Sequence, residues 1–195
     1  GATVARGMGH VFAEIDDTLA AFIRAQHVFF VATAPLDAGG HVNVSPKGLG
    51  SLAILDPHTV AYLDLTGSGV ETIAHLRENG RITILFSAFD GPPKTLRLYG
   101  CGRVVPACDA EFTTLAGHFP TMLGARSIIV VALDRIADSC GYGVPRYRYE
   151  GERPQLVDWA DRKGPEGVVA YRGERNIASI DGLPGLPLVG ERRRE

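Results

Sequence analysis

The sequence predicts a mainly β protein, an antiparallel barrel with helices attached, and three observations carry that expectation. Six short runs rich in Val, Ile, Phe and Thr are bounded by Gly, Pro and Asp. Most are joined by short turns, and no regular strand–helix–strand alternation of a doubly wound sheet appears. Finally, 195 residues suit one domain, 1–195, with a barrel core over about 27–137 and an irregular segment over 138–190.

In chain order, a helix is expected over about 16–25. Asp16 or Asp17 can cap it, and Leu19, Phe22 and Ile23 share one face. Strands are expected at His27–Ala34 and His41–Pro46, separated by the turn-forming Pro35 to Gly40. Thr59–Leu65 opens after the breaker Asp56-Pro57. A short helix follows Gly67-Ser68-Gly69, with Ile73 and Leu76 as its apolar stripe and Gly80 at its C-terminal cap. Strands Arg81–Ser87 and Thr95–Val105 flank Asp90-Gly91-Pro92-Pro93. A helix at Asp109–Phe119, a strand at Ser127–Ile136, a helix at about 154–162 and strand-like Gly167–Tyr171 complete the reading, with Glu191–Glu195 as a frayed tail.

Composition narrows the function. Lys plus Arg total 20 against 22 Asp plus Glu, so a nucleic-acid binder driven by overall charge is not expected. No apolar run approaches the ~20 residues of a membrane-spanning helix, and residues 1–15 lack the continuous apolar stretch of a signal peptide. Cys101, Cys108 and Cys140 form no C-x-x-C pair, which favours a reduced, cytoplasmic setting. Cys140 is expected to be a small buried residue rather than a redox thiol.

Several chemistries fall away. Gly48-Leu49-Gly50-Ser51-Leu52-Ala53 matches a dinucleotide fingerprint, but Pro57 leaves about one turn for the helix that the fingerprint requires. The six histidines show no metal-ligand spacing and are expected at the surface or at edges, so no metal is expected. No G-x-S-x-G elbow is present. Two segments do carry a signal: Asn43-Val44-Ser45-Pro46-Lys47-Gly48, and Gly67-Ser68-Gly69-Val70-Glu71-Thr72. Glycines admit a ligand close to the backbone, a helix start offers free N–H groups, and Ser68 and Thr72 add hydroxyls, a set that suits a phosphate monoester. Lys47 and Arg97 can supply positive charge. The same residues also fit a plain helix capped by Ser68, with Lys47 on a solvated loop and Arg97 paired to a surface acid.

The ordered pattern of Val42–Lys47, Thr59–Asp64, Gly67–Thr72, Leu76–Asn79, Arg81–Ser87 and Arg97–Gly100 resembles the FMN-binding split-barrel family typified by pyridoxamine 5'-phosphate oxidase. Cys140–Pro145 and Asn176–Pro184 resemble an oxidase-like bacterial branch of it. This resemblance implies a split β-barrel, a homodimer and an FMN site at the subunit interface, completed by the 138–190 segment. It further implies that Asn43, Val44, Ser45, Pro46 and Lys47 border the flavin ring and ribityl chain. Ser68, Gly69, Thr72 and Arg97 would hold the phosphate, with Asp64 nearby.

Glu71 and Thr72 stand where the authentic oxidases carry an Arg-Lys pair, Thr95 replaces their glutamine, and their C-terminal Arg-x-His is absent. The expectation is therefore an oxidoreductase acting on a small organic substrate, not oxidation of pyridoxamine phosphate, and no side chain is singled out as an acid or base. The resemblance leaves two alternatives open. One is a reductase using a deazaflavin coenzyme. The other is a non-enzymatic flavin or haem binder, which for haem needs His27, His41 or His75 at the groove. Tyr142, Tyr147, Trp159 and Tyr171 either pack the core and interface or reach the partner's flavin, with Arg175 or Asn176 beside it.

Overall fold

The computed structural model describes residues 9–186, so the expectation for Glu191–Glu195 falls outside it. Its eight described strands are β1 (Val11–Phe12), β2 (Phe29–Thr33), β3 (Asn43–Lys47), β4 (Leu52–Asp56), β5 (Thr59–Leu65), β6 (Arg81–Ser87), β7 (Thr95–Pro106) and β8 (Ala125–Ser139). The helices are α1 (Asp17–Arg24), α2 (Glu71–Asn79), α3 (Ala110–Ala116) and α4 (Gln155–Arg175). All strands pair antiparallel in the order β3-β2-β6-β7-β8-β5-β4, and β1 joins β8.

Alternation along the strands builds one interior. Phe29, Val31, Tyr62, Ile84, Phe86, Leu96, Leu98, Ile129 and Val131 are buried together with Leu19 and Ile23 of α1 and Ile73 of α2. Each large apolar side chain so buried contributes about 1.5–3 kcal/mol. Asp16 caps α1 by accepting the Leu19 N–H at 2.7 Å. On the other face of β5 and β8, Ala61, Leu63, Ile128 and Val130 form a second cluster that α3 covers through Phe112 and Leu115. These two strands are thus buried on both sides. Gly100 lies beside a register shift between β7 and β8, where a Cβ would collide with the Ala132 carbonyl.

One strand is added to the expected set, and three expectations are corrected. The Leu52–Asp56 stretch is a strand that hairpins onto β5, which also removes any helix from the Gly48–Ala53 pattern. Gly167–Tyr171 is helical: α4 continues to Arg175 past a break at Gly164 (φ 66°, ψ 172°), and Pro165 restarts it where a missing N–H costs nothing. Cys140 is exposed, because it follows the last residue of β8 and starts the irregular stretch. His75 is fully buried, being turned inward from α2 beneath the sheet. Among the described residues no helix is long and apolar enough to cross a membrane.

Candidate functional site

The two ends of the sheet path, β3 on one side and β5 with β4 on the other, leave a split. A groove of about 400 Å³ occupies it, walled by Asn43, Ser45, Pro46 and Lys47. Leu63, Leu65, the Thr66–Gly69 segment, Glu71, Thr72 and Arg126 also line it, together with Gly48, Ser51 and Leu156. Strand parity places these side chains. Asn43, Ser45 and Lys47 pair with Thr33, Val31 and Phe29, whose side chains face inward, so the polar face of β3 turns toward the split.

Hydrogen bonds stitch the split together. Asn43 Nδ2 donates to Thr72 Oγ1 at 2.9 Å and to Thr33 Oγ1 at 3.4 Å, while Ser45 Oγ donates to Asn43 Oδ1 at 3.2 Å. Thr33 Oγ1 in turn lies 2.9 Å from His75 Nδ1, extending this polar chain from the groove into the core. His75 Nε2 and the Tyr62 hydroxyl are buried without a partner among the described residues. Burial lowers the His75 pKa and keeps the ring neutral, and burial, assisted by the Asp64 charge, raises the Tyr62 hydroxyl well above its usual value.

Asp64 is the electrostatic centre. Its carboxylate, fully buried, meets Lys47 Nζ at 3.3 Å and Arg126 Nε at 2.6 Å, and Ser127 Oγ donates to it at 3.3 Å. Burial alone would raise its pKa, but the Arg126 and Lys47 charges override that and hold it below the ordinary value. Arg126 Nη1 also donates to the Gly69 carbonyl and to Asn176 Oδ1, both at 2.8 Å, and Asn176 Nδ2 donates to the Gly67 carbonyl at 3.0 Å. The glycine segment is thereby clamped from behind by two buried side chains. Arg172 secures the preceding residue, donating to Thr66 Oγ1 at 2.8 Å. The first turn of α2 follows Val70 without a side-chain cap, leaving its N–H groups open toward the segment.

Seven of the ten expected residues line this groove, namely Asn43, Ser45, Pro46, Lys47, Ser68, Gly69 and Thr72, and an eighth, Asp64, is pinned behind Lys47. Val44 points to the opposite face and is 61% exposed. Arg97 is not brought to the groove of its own chain. It lies between buried Leu96 and Leu98, faces away from the interior, and donates to Ser139 Oγ at 3.1 Å. Ser68 is exposed and does not cap α2.

Arg126 was not anticipated, and the reason is local. The β5–β8 register pairs Asp64 with Ser127 and Leu65 with Ala125, so Arg126 is an extra residue whose side chain the bulge re-aims inward. Its only signal in the sequence is a charge at the head of an apolar run. Asn176 is buried within its own chain rather than offered to a partner. Trp159 and Tyr171 pack edge-to-face at 4.9 Å, Tyr147 packs on Phe89, and Tyr142 is 81% exposed. None of His27, His41 and His75 lines the groove.

Comparison with known proteins gives this architecture a family. The fold is that of a protein from Lactobacillus delbrueckii described as a candidate pyridoxamine 5'-phosphate oxidase, which superposes with a TM-score of 0.51 at 16% identity over 66% of this chain and 98% of that one. The pyridoxamine 5'-phosphate oxidase family protein ustO of Aspergillus flavus is 39% identical, covering 90% of this chain and 77% of its own length. A family model described as pyridoxamine 5'-phosphate oxidase matches residues 15–140. The chain belongs to the pyridoxamine 5'-phosphate oxidase family, with an antiparallel split barrel as its fold.

Proposed function

We propose that this chain binds FMN in the groove, as a homodimer, and passes hydride or electrons between the flavin and a small organic substrate. One observation carries the reading: in a chain of this family, the split holds a ligand-sized cavity with a polar strand on one side and a glycine segment with an uncapped helix start on the other. The donor set fits the group. Thr72 Oγ1 accepts the Asn43 amide, so its own hydrogen is free for a ligand, and the Ser68 hydroxyl is exposed to the cavity. Ser68, the Gly69 segment and Thr72 would hold the phosphate, while Asn43, Ser45, Pro46 and Lys47 border the ring and ribityl chain.

The flavin, when bound, supplies the atom that takes or gives the hydride. The protein's part is to orient and to exclude water. Asp64 holds the Lys47 ammonium at the groove wall, and Arg126 with Asn176 fixes the glycine carbonyls so that the segment need not reorganise on binding. At about 400 Å³ the groove is near the lower end for small-molecule sites and is open on one side. A second copy supplying the missing wall accounts for both properties, and exposed Tyr142 and Tyr147 suit such an interface.

Titration of the purified chain with FMN, followed by the flavin's visible bands and fluorescence, tests the proposal. Saturable binding at micromolar protein is expected, and weaker binding in the Thr72→Ala variant. No uptake of FMN would remove the flavin reading and leave a split barrel whose groove serves another ligand.

A further inference from the structure

The lining of the groove carries balanced charge. Its cations are Lys47 and Arg126, and a single carboxylate, Asp64, already engages both, at 3.3 Å and 2.6 Å. Arg172, the next guanidinium behind it, is committed to Thr66 Oγ1 and to the Gly124 and Ala125 carbonyls. The remaining charged group of the lining is Glu71, for which no cation lies within ion-pair distance among the described residues. Its Oε1 accepts one long hydrogen bond, from the Ile180 N–H at 3.4 Å. Its Oε2 fills the space that a Cβ on Gly69 would take. The first turn of α2 therefore already has a carboxylate over the glycine segment, where the helix favours negative charge.

We propose that Glu71 is the specificity-determining residue of the groove: its carboxylate competes with a ligand's anionic tail for the glycine segment, so FMN is held as an exchangeable ligand and is barely preferred over riboflavin. This inference rests on the flavin reading above. A phosphate monoester carries about −1.5 to −2 charges at neutral pH. Bringing it beside an unpaired carboxylate in a groove open to water costs roughly a tenfold loss of affinity, whereas riboflavin carries no charge for Glu71 to repel.

Fluorescence titrations of the wild-type, Glu71→Gln and Glu78→Gln chains with FMN and with riboflavin test it. Gln at 71 keeps an acceptor for the Ile180 N–H and removes only the charge. Glu78 is on the last turn of the same helix, accepts the Leu36 N–H and lies outside the groove, so it reports the effect of net charge alone. The expected result is wild-type affinities for FMN and riboflavin within about threefold of each other, with FMN binding tightened roughly tenfold in Glu71→Gln. Riboflavin binding should be unchanged in that variant, and both ligands unchanged in Glu78→Gln, at equal thermal stability of all three chains. Unchanged FMN affinity in Glu71→Gln, an equal gain for riboflavin, or an equal gain in Glu78→Gln would overturn the role of Glu71 while leaving flavin binding in place. Failure of every chain to bind either flavin would overturn the flavin reading and this inference together.

Discussion

Asp64 is the residue on which most of the site depends, because two cations are held by its one carboxylate. In Asp64→Asn the Arg126 guanidinium, 5% exposed, keeps its charge and loses its partner. Breaking a buried pair in this way costs about 3–5 kcal/mol, so the urea midpoint should fall sharply; an unchanged midpoint would show that the pair contributes nothing. The pH response has a definite sign. The native carboxyl has a lower pKa than the unfolded one, so its contribution is complete above the unfolded value of 3.8 and is lost as pH falls through the depressed native value. His75 acts in the same direction nearer neutrality. Its native pKa lies below 6.5, so stability from its neutral form is full above that pH and declines as the unfolded chain takes up the proton. Stability measured against pH should show both declines, and His75→Gln should abolish the one nearer neutrality alone. The sequence pointed to Lys47, Asp64 and Thr72 through their neighbours, but Arg126 depends on a bulge, and a bulge is a property of two paired strands.

Elements were legible where local chemistry is decisive. The strands at Thr59–Leu65 and Arg81–Ser87 have the expected ends because Asp56-Pro57, Gly80 and Asp90-Gly91 stop the chain around them. Gly80 ends α2 in the left-handed region at φ 71°, with its Cβ position 2.7 Å from Cys101 Sγ. Gly80→Ala should cost about 1–2 kcal/mol from the backbone alone, and more if the sulfur cannot move. Thermal unfolding measures this, and an unaltered transition would mean that the cap is not needed. The misread elements lacked such cues. Residues 52–56 are too few for a clear period and gain their strand character by pairing with β5. Val168 and Val169 favour a strand by propensity, but burial of Val168 beneath a restarted helix overrides it.

At the scale of the whole molecule, the open side of the groove is the feature that predicts association. Sedimentation equilibrium should give twice the 20.9 kDa chain mass, and dilution that dissociates the pair should weaken FMN binding in parallel. A monomer with undiminished affinity would remove the second copy from the site. By itself the sequence determined the antiparallel β class, the helix at the glycine segment and most of the groove's residues, because turn chemistry and strand alternation act over a few positions. The tertiary structure alone decided that Lys47 and Arg126 share Asp64, that Arg97 faces away from the groove, and that Asn176 reaches back to Gly67 across 109 residues. Those outcomes depend on how the sheet closes, and a one-residue shift in pairing moves a side chain to the opposite face, so no local pattern can specify them.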